Sequence, residues 1–250
     1  MGKMIGVFFL LAFLPFHVAA KEIVVAAAAN VQYVLEELRV EFKKNTGIEL
    51  KIITSPSGRL TAQIENGAPF DIFLSADTKY PEFIYKKGLA YQPPKIYAYG
   101  QLVLWTMKDV DLSKGVEVVA DSSVRKIAVA NPKTAPYGQQ AVNAMAYYKL
   151  HKAVERKLVF GGSIAHVNQF IFSRAVDVGF TAKSSVLAPN VAGKGKWIEV
   201  DPKAYHPIAQ GAVILRHAQE ENFQAAKQFY DFLFSDKAKE IFKKFGYTVP

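Results

Sequence analysis

Strand-like and helix-like hydrophobic patterns alternate along the chain after its first twenty residues. Residues 22–28 form a short apolar run of the kind that builds a buried strand. A helix is predicted next by apolar residues at helical spacing, namely Val31, Val34, Leu35, Leu38 and Phe42. Gly47 is expected to end this helix. This alternation is typical of α/β proteins whose mostly parallel sheets are covered on both faces by helices.

The same alternation predicts elements along the rest of the chain. Strands are predicted over 49–54, 71–75, 101–106, 126–130, 158–160, 176–181 and 212–215. Helices are predicted over 60–66, 77–87, 138–150, 164–173, 222–234 and 237–245. Residues 91–94 (Tyr-Gln-Pro-Pro) have a linker composition, and a third part begins near His206.

The domain organisation follows from the last two helices. They are amphipathic and need a surface to pack on, so the chain is expected to return to its first lobe. The prediction is a lobe I of residues 21–98 plus 206–250 and a lobe II of residues 99–205. Two linkers would then form a hinge, with a cleft at the carboxyl ends of the strands.

Four strand-to-helix junctions have a composition suited to an anion. Each ends an apolar run in a polar turn that opens a helix; they span 28–31, 55–58, 131–138 and 161–164. A helix N-terminus offers free backbone N–H groups and the positive end of the helix dipole. Four such junctions, two in each half of the chain, predict a cleft lined with hydrogen-bond donors.

Each candidate residue at these junctions also has a structural alternative. Asn30 is either a helix cap or a ligand donor, and Ser57 is either a hydroxyl donor or a cap. Tyr137 offers a phenol or a backbone N–H, or only packs. Ser163 is the expected cap of the next helix, and Ile164 has only its backbone N–H to offer.

Residues 1–20 have the composition of a signal peptide. Lys3 is followed by an apolar run over 7–16 and by Val18-Ala19-Ala20, a small-residue cleavage site. The run is too short to span a membrane and contains Pro15, so cleavage after Ala20 and export to the periplasm are predicted. The chain has no cysteine, so neither a disulfide framework nor a lipid-modified cysteine is possible.

Charge and motifs narrow the function classes. The formal net charge is +9 over 250 residues, which suits an anionic ligand or simply a solvated basic surface. No zinc-finger spacing or arginine-rich tract indicates nucleic acid, and no phosphate loop or metal-ligand cluster is found. Four histidines, His151, His166, His206 and His217, lack a nucleophile motif beside them, and His166 is expected on a helix surface. Asp71 and Asp77 are expected to be a solvated strand end and a helix cap rather than an acid–base pair.

Several longer motifs carry a family resemblance. They are residues 25–30 (Val-Ala-Ala-Ala-Ala-Asn), 57–64 (Ser-Gly-Arg-Leu-Thr-Ala-Gln-Ile), 66–77 (Asn-Gly-Ala-Pro through Ser-Ala-Asp), 130–138 (Ala-Asn-Pro through Ala-Pro-Tyr-Gly), 177–180, 207–213 and 246–247. Together they resemble the periplasmic molybdate-binding proteins of ATP-driven importers. The resemblance covers essentially the whole mature chain.

The resemblance implies a fold, a site and partners. The fold would be α/β, a two-lobe periplasmic-binding-protein fold of type II with the ligand in the interlobe cleft. The oxyanion would be held without cofactor or metal by neutral donors from Ala29, Asn30, Ser57, Tyr137 and the Ile164 backbone. The partner would be the membrane permease of an ABC importer, the chain would be a monomer, and no nucleic acid would bind.

Three places depart from the family pattern, and one of them is near Thr181-Ala182, where some members have a tyrosine whose role Tyr137 is expected to take. Ala29 stands where many members have serine or threonine, and Asn30 is expected to replace the lost donor. Arg59 stands where small or neutral residues are frequent. It is expected to face solvent; the alternative is a charge added to the site.

The expected function is binding of molybdate and tungstate and their delivery to a permease, with no enzymatic step. Both ions are fully deprotonated dianions at neutral pH, so a site for them needs hydrogen-bond donors only. A phosphate site would need a carboxylate to accept the proton that phosphate keeps. The alternatives are another tetrahedral oxyanion and an anion sensor for a membrane receptor. An enzyme on the same scaffold, the porphyrin-pathway deaminase, needs a cysteine for its cofactor, and this chain has none.

Overall fold

A computed structural model describes residues 22–250 of the chain. The predicted signal peptide, its cleavage site after Ala20 and Lys21 lie outside the described residues. Residues 22–250 form two five-stranded sheets with helices packed on them, in an α/β fold with two lobes. Over this range no helix combines the length and apolar character needed to cross a membrane.

The elements alternate as the sequence pattern predicts. The strands are β1 Glu22–Ala28, β2 Glu49–Ser55, β3 Ile72–Leu74, β4 Lys95–Gly100, β5 Leu102–Thr106, β6 Ile127–Ala130, β7 Leu158–Gly161, β8 Val178–Ala182, β9 Lys196–Glu199 and β10 Ile208–Ile214. The helices are α1 Gln32–Thr46, α2 Ser57–Glu65, α3 Lys79–Lys86, α4 Pro136–Tyr147, α5 His151–Val154, α6 Ile164–Phe172, α7 Lys183–Val186, α8 Arg216–Glu221, α9 Phe223–Phe232 and α10 Asp236–Lys244. Short 3-10 turns cover Ala29–Val31, Gly115–Ala120, Glu155–Lys157 and Pro202–Ala204.

The sheet of lobe I has the strand order β2-β1-β3-β10-β4. β1 runs parallel to β2 and β3, whereas β10 is antiparallel to both of its neighbours, β3 and β4. Four of the five strands therefore run in the same direction, as the prediction of a mostly parallel sheet has it, and only β10 is reversed. The chain leaves lobe I through β4 and returns to it through the neighbouring strand β10, and such a direct return makes the two strands antiparallel.

The sheet of lobe II has the strand order β7-β6-β8-β5-β9. β6 is parallel to β7 and β8, and β5 is antiparallel to β8 and β9. Only Gln101 separates β4 of the first sheet from β5 of the second. The two crossing strands of lobe I, β4 and β10, are paired neighbours, so both crossings lie side by side. The predicted boundaries at 98/99 and 205/206 stay a prediction.

Five strands and helices were not predicted, namely β4, β9, α8 and the four-residue helices α5 and α7, and one predicted helix begins early. β4 follows directly after the Pro93-Pro94 turn, and β9 is a short edge strand with charged residues at both ends. α8 is a further unpredicted helix of six residues. α2 begins at Ser57 rather than at Leu60, so the turn and the helix start coincide.

Apolar side chains cover both faces of the lobe I sheet. On one face α1, α9 and α10 pack through residues such as Leu35, Phe42 and Phe229, and the Phe42 and Phe229 rings meet edge to face at 5.1 Å. On the other face α2 and α3 contribute Leu60 and Ile84. A single larger cluster fills lobe II and includes residues of lobe I that line the interface. Each junction loop therefore starts from a rigid sheet.

Candidate functional site

The four predicted junctions meet around one small cavity. Two of them follow the parallel neighbours β1 and β2, and two follow the parallel neighbours β6 and β7, so each pair ends on one edge of its sheet. The cavity has a volume of about 10 Å³, counted as the space in which the centre of a water-sized sphere can lie. Its lining is uncharged and consists of Ala28, Ala29, Asn30, Pro56, Ser57, Ala76, Ala135, Pro136, Tyr137 and Ile164.

All five predicted site residues line this cavity: Ala29, Asn30, Ser57, Tyr137 and Ile164. Sequence reasoning missed Ala76, which lies in the loop after β3. The available signal was that β3 is a third parallel strand of the same sheet, so its carboxyl end reaches the same edge. The lining brings residues from five loops together.

Backbone N–H groups dominate the donor chemistry of the cavity. Ala29 and Asn30 begin the helical segment that continues as α1, Tyr137 is the second residue of α4, and Ile164 is the first residue of α6. Residues in the first turn of a helix have no intrahelical carbonyl for their N–H groups. The positive ends of the helix dipoles add a favourable potential for a negative ligand.

Ser57 is a hydroxyl donor held in place by the neighbouring loop. The cap of α2 is Pro56, so the alternative of Ser57 as a helix cap is wrong. Its Oγ accepts the Ala76 N–H at 3.0 Å, and the side chain is fully buried. Because that bond uses a lone pair of the oxygen, the hydroxyl proton remains available to the cavity.

Asn30 is anchored by its side chain and by its carbonyl. Its Nδ2 donates to Gln210 Oε1 at 2.9 Å and to Tyr247 Oη at 3.3 Å, while its carbonyl oxygen accepts from Ser184 Oγ at 2.9 Å. The side chain therefore caps no helix, and the expectation that Asn30 replaces the donor lost at Ala29 stays a prediction. With both Nδ2 hydrogens bonded, the backbone N–H in the first helical turn is the donor that Asn30 can offer to a ligand.

Tyr137 turns its phenol away from the cavity toward the hinge. Its Oη accepts a bond from Gln210 Nε2 at 3.4 Å, and its ring is buried. Burial raises the pKa of Tyr137 and of Tyr97 well above the usual range, and it raises the pKa of Tyr247 to about 12. These phenols stay neutral at physiological pH, so none places a negative charge beside the cavity. Tyr137 itself offers its backbone N–H.

The lobes touch at the mouth of the cleft. Gly58 N–H donates to the Thr134 carbonyl at 3.0 Å, and Tyr80 Oη donates to the Lys133 carbonyl at 3.3 Å. A Cβ on Gly58 would lie 2.7 Å from the Tyr80 hydroxyl, so glycine permits this approach. The cavity thus lies between the two lobes, which both contribute to its lining.

Arg59 is exposed, as the sequence analysis expected, yet it spans the mouth. Its Nη2 lies 3.8 Å from the position that a Cβ on Gly162 would occupy, and Gly162 belongs to the loop of lobe II that leads into α6. Arg59 is outside the set of residues that line the cavity. Its charge therefore lies at the entrance rather than against the ligand position.

The two aspartates have structural partners. Asp71 is fully buried, accepts the Val24 N–H at 2.7 Å and lies 3.0 Å from His217 Nδ1, so the prediction of a solvated strand end is wrong. Asp77 lies one residue before the N-cap of α3, which is Thr78, and its carboxylate accepts the first-turn Tyr80 N–H at 3.2 Å. Burial raises the pKa of Asp77.

The remaining polar predictions concern α6 and metal binding. Ser163 caps α6 by accepting the His166 N–H at 3.3 Å, and His166 is exposed on the helix, as predicted. In the part of the chain that the structure describes, no cluster of three or more histidine, aspartate or glutamate side chains is arranged to hold a metal ion. The cavity is the feature that gathers the predicted residues.

Comparisons with a family model, with two relatives and with a solved structure all indicate a solute-binding protein. Residues 23–248 match the family model described as bacterial extracellular solute-binding protein. The molybdate-binding protein ModA of Azotobacter vinelandii is 38% identical over 231 residues, covering 91% of this chain and 90% of the relative. The ModA protein of Rhodobacter capsulatus is 37% identical over 232 residues, covering 92% and 89%. The solved structure of the Azotobacter vinelandii periplasmic molybdate-binding protein superposes with a TM-score of 0.86 at 33% identity, covering 91% of this chain and 99% of that one.

Proposed function

Because this chain belongs to the family of bacterial extracellular solute-binding proteins, we propose that it binds molybdate and tungstate in the periplasm and delivers them to an ABC importer. Relatives that share 37–38% of its residues over most of its length are molybdate-binding proteins. The observation that carries the proposal is the small cavity between the lobes, whose lining is uncharged and rich in helix N-termini.

The donor set matches a fully deprotonated oxyanion. Every oxygen of molybdate or tungstate accepts hydrogen bonds, and the cavity offers first-turn N–H groups together with the Ser57 hydroxyl. The lining has no carboxylate to accept the proton of hydrogen phosphate. A cavity of this size also favours a small inorganic ion over an organic solute.

The proposal includes a cycle of capture and release without covalent chemistry. The anion would enter between open lobes, the lobes would close by bending at the adjacent crossings of β4 and β10, and a membrane permease would receive the ion. We propose that the chain acts as a monomer, needs no cofactor and is not an enzyme. The lobe boundaries near 98/99 and 205/206 belong to the same proposal.

Isothermal calorimetry of residues 21–250 against sodium molybdate, tungstate, sulfate and phosphate tests this function. We expect tight binding of the first two ions and little heat with the others, because the lining offers donors only and the cavity selects by size. A hundredfold excess of ligand over Kd should stabilise the folded state by about 2.7 kcal/mol and raise Tm, with sulfate as the control. Equal affinity for phosphate, or a need for a divalent metal, would refute the proposal and favour another oxyanion.

Replacing Arg59 with alanine should slow anion capture more than it weakens equilibrium binding. The guanidinium lies at the mouth and outside the lining, so it steers the dianion without contacting it. We expect the association rate to fall several-fold at low ionic strength and to recover toward the wild-type value at high salt. Stopped-flow fluorescence with molybdate at two salt concentrations measures this.

Arg156→Ala is the matched control for Arg59→Ala. Arg156 is another exposed arginine, in the turn after α5, and it does not line the cavity, so its loss changes the net charge equally. A tenfold loss of affinity in Arg59→Ala alone, about 1.4 kcal/mol, would instead mean that Arg59 contacts the bound anion.

A further inference from the structure

β10 carries one side-chain amide in an otherwise apolar, buried strand. Gln210 is fully buried, and the pairing of β10 with β4 shifts register between Gln210 and Gly211. Such an irregularity re-aims a side chain relative to the regular strand. A buried amide is costly unless its polar atoms are paired, so its partners indicate its role.

Both ends of the Gln210 amide are paired. Its Oε1 accepts from Asn30 Nδ2 at 2.9 Å and from Tyr97 Oη at 2.8 Å. Its Nε2 donates to Tyr137 Oη at 3.4 Å. Among uncharged side chains of this length, only glutamine offers an acceptor and a donor at one end, and the acceptor bonds fix which way the donor points.

One of these bonds, from Gln210 to Tyr137, crosses from one lobe to the other. Gln210, Asn30 and Tyr97 belong to lobe I, and Tyr137 is the second residue of α4 in lobe II. The Gln210–Tyr137 contact lies against Gly100, the last residue of β4, where a Cβ would overlap the Tyr137 hydroxyl and lie 2.6 Å from Gln210 Nε2. The contact therefore sits at the hinge, in space that a glycine leaves open.

We propose that Gln210 is a positioning residue that aligns the first and third donor loops when the lobes close. Its amide accepts a hydrogen bond from the Asn30 side chain and donates one to the Tyr137 phenol, and both of these residues line the cavity. Closure makes the bond to Tyr137, so donor alignment and lobe closure become one event. The inference rests on the proposed function and names a residue outside the cavity lining.

The central variant is Gln210→Met, which fills a similar volume without hydrogen-bonding groups. We expect sodium molybdate to bind at least tenfold more weakly by calorimetry and to dissociate faster in stopped-flow measurements. Tyr137→Phe removes the phenolic partner and keeps the Tyr137 backbone N–H. Because both changes break the same contact, the double variant should bind as Gln210→Met does, within about twofold.

Two controls separate positioning from general loss of stability. Thr106→Val removes a buried hydroxyl that donates to the Asp177 carbonyl at 2.6 Å within lobe II, so it should lower Tm and leave Kd unchanged within twofold. Tyr97→Phe removes the hydroxyl that donates to Gln210 Oε1 within lobe I. Tyr97→Phe should raise Kd less than Tyr137→Phe does. If Gln210→Met fails to fold, the comparison of these two tyrosine variants tests the positioning role of Gln210.

The outcomes are distinct. A wild-type protein that binds molybdate while Gln210→Met matches its Kd within twofold would overturn this inference alone. Additive effects of Gln210→Met and Tyr137→Phe, or equal losses in Tyr97→Phe and Tyr137→Phe, would also overturn it. A wild-type protein that binds no oxyanion refutes the proposed function and this inference with it.

Discussion

Replacing Gly138 with alanine is expected to abolish high-affinity molybdate binding. Gly138 is the third residue of α4, and a Cβ there would overlap the carbonyl oxygen of Ala130 and lie 2.7 Å from its carbonyl carbon. Both atoms are backbone at the end of β6, so neither moves without disturbing the sheet. The start of α4 would shift outward and carry the Tyr137 N–H away from the cavity.

We expect at least a hundredfold loss of affinity in calorimetry, and a loss of unfolding free energy of about 3 kcal/mol, typical of overpacking. Gly67→Ala is the control, because Gly67 has a φ of +78° and no atom within 4 Å of its Cβ position. That change costs about 1–2 kcal/mol for the left-handed conformation and should leave Kd unaffected. Wild-type affinity in Gly138→Ala would mean that the third loop holds no donor for the anion.

Replacing Ser57 with alanine is expected to weaken molybdate binding ten- to a hundredfold. The change removes a hydrogen bond to a charged ligand, which contributes roughly 1.5–3 kcal/mol. It also leaves the buried Ala76 N–H without its acceptor, which costs a further 1–3 kcal/mol or so in unfolding free energy. Calorimetry measures the first effect, and urea unfolding without ligand measures the second.

Ser235→Ala provides the comparison for Ser57→Ala. Ser235 also accepts a backbone N–H, that of Ala238 at 3.2 Å, but it caps α10 outside the cavity lining. Its loss should lower stability by about 1 kcal/mol and leave Kd unchanged. If the two variants lost stability alike and both kept the wild-type Kd, Ser57 would be a structural acceptor with no part in binding.

The strand-to-helix junctions were predictable because their signals are local. Pro56-Ser57-Gly58 follows directly after β2 and begins α2, and Pro136-Tyr137-Gly138 begins α4, so each motif marks a helix start within a few residues of sequence. The four junctions accordingly lie where the sequence pattern puts them. That they face one cavity follows from the parallel pairing of β1 with β2 and of β6 with β7.

The partners of the junction side chains were not predictable, because they are distant in sequence. The Ser57 acceptor bond joins residues 19 positions apart, and the Asn30–Gln210 bond joins residues 180 apart. Viewed locally, serine or asparagine at a helix start suggests a cap, and here both side chains make tertiary contacts instead. The same limit applies to β10, since a run of buried apolar residues does not encode strand direction.

The contact between Tyr80 and Lys133 at the mouth offers a means of reading anion concentration optically. The two residues belong to opposite lobes and are joined by a bond from the Tyr80 hydroxyl to the Lys133 carbonyl, and the exposed Lys133 is not among the residues that line the cavity. Since the chain has no thiol of its own, a single cysteine at position 133 would accept one environment-sensitive dye. Each closing event would change the polarity around that dye, which makes the scaffold a reagentless fluorescent sensor for its oxyanion.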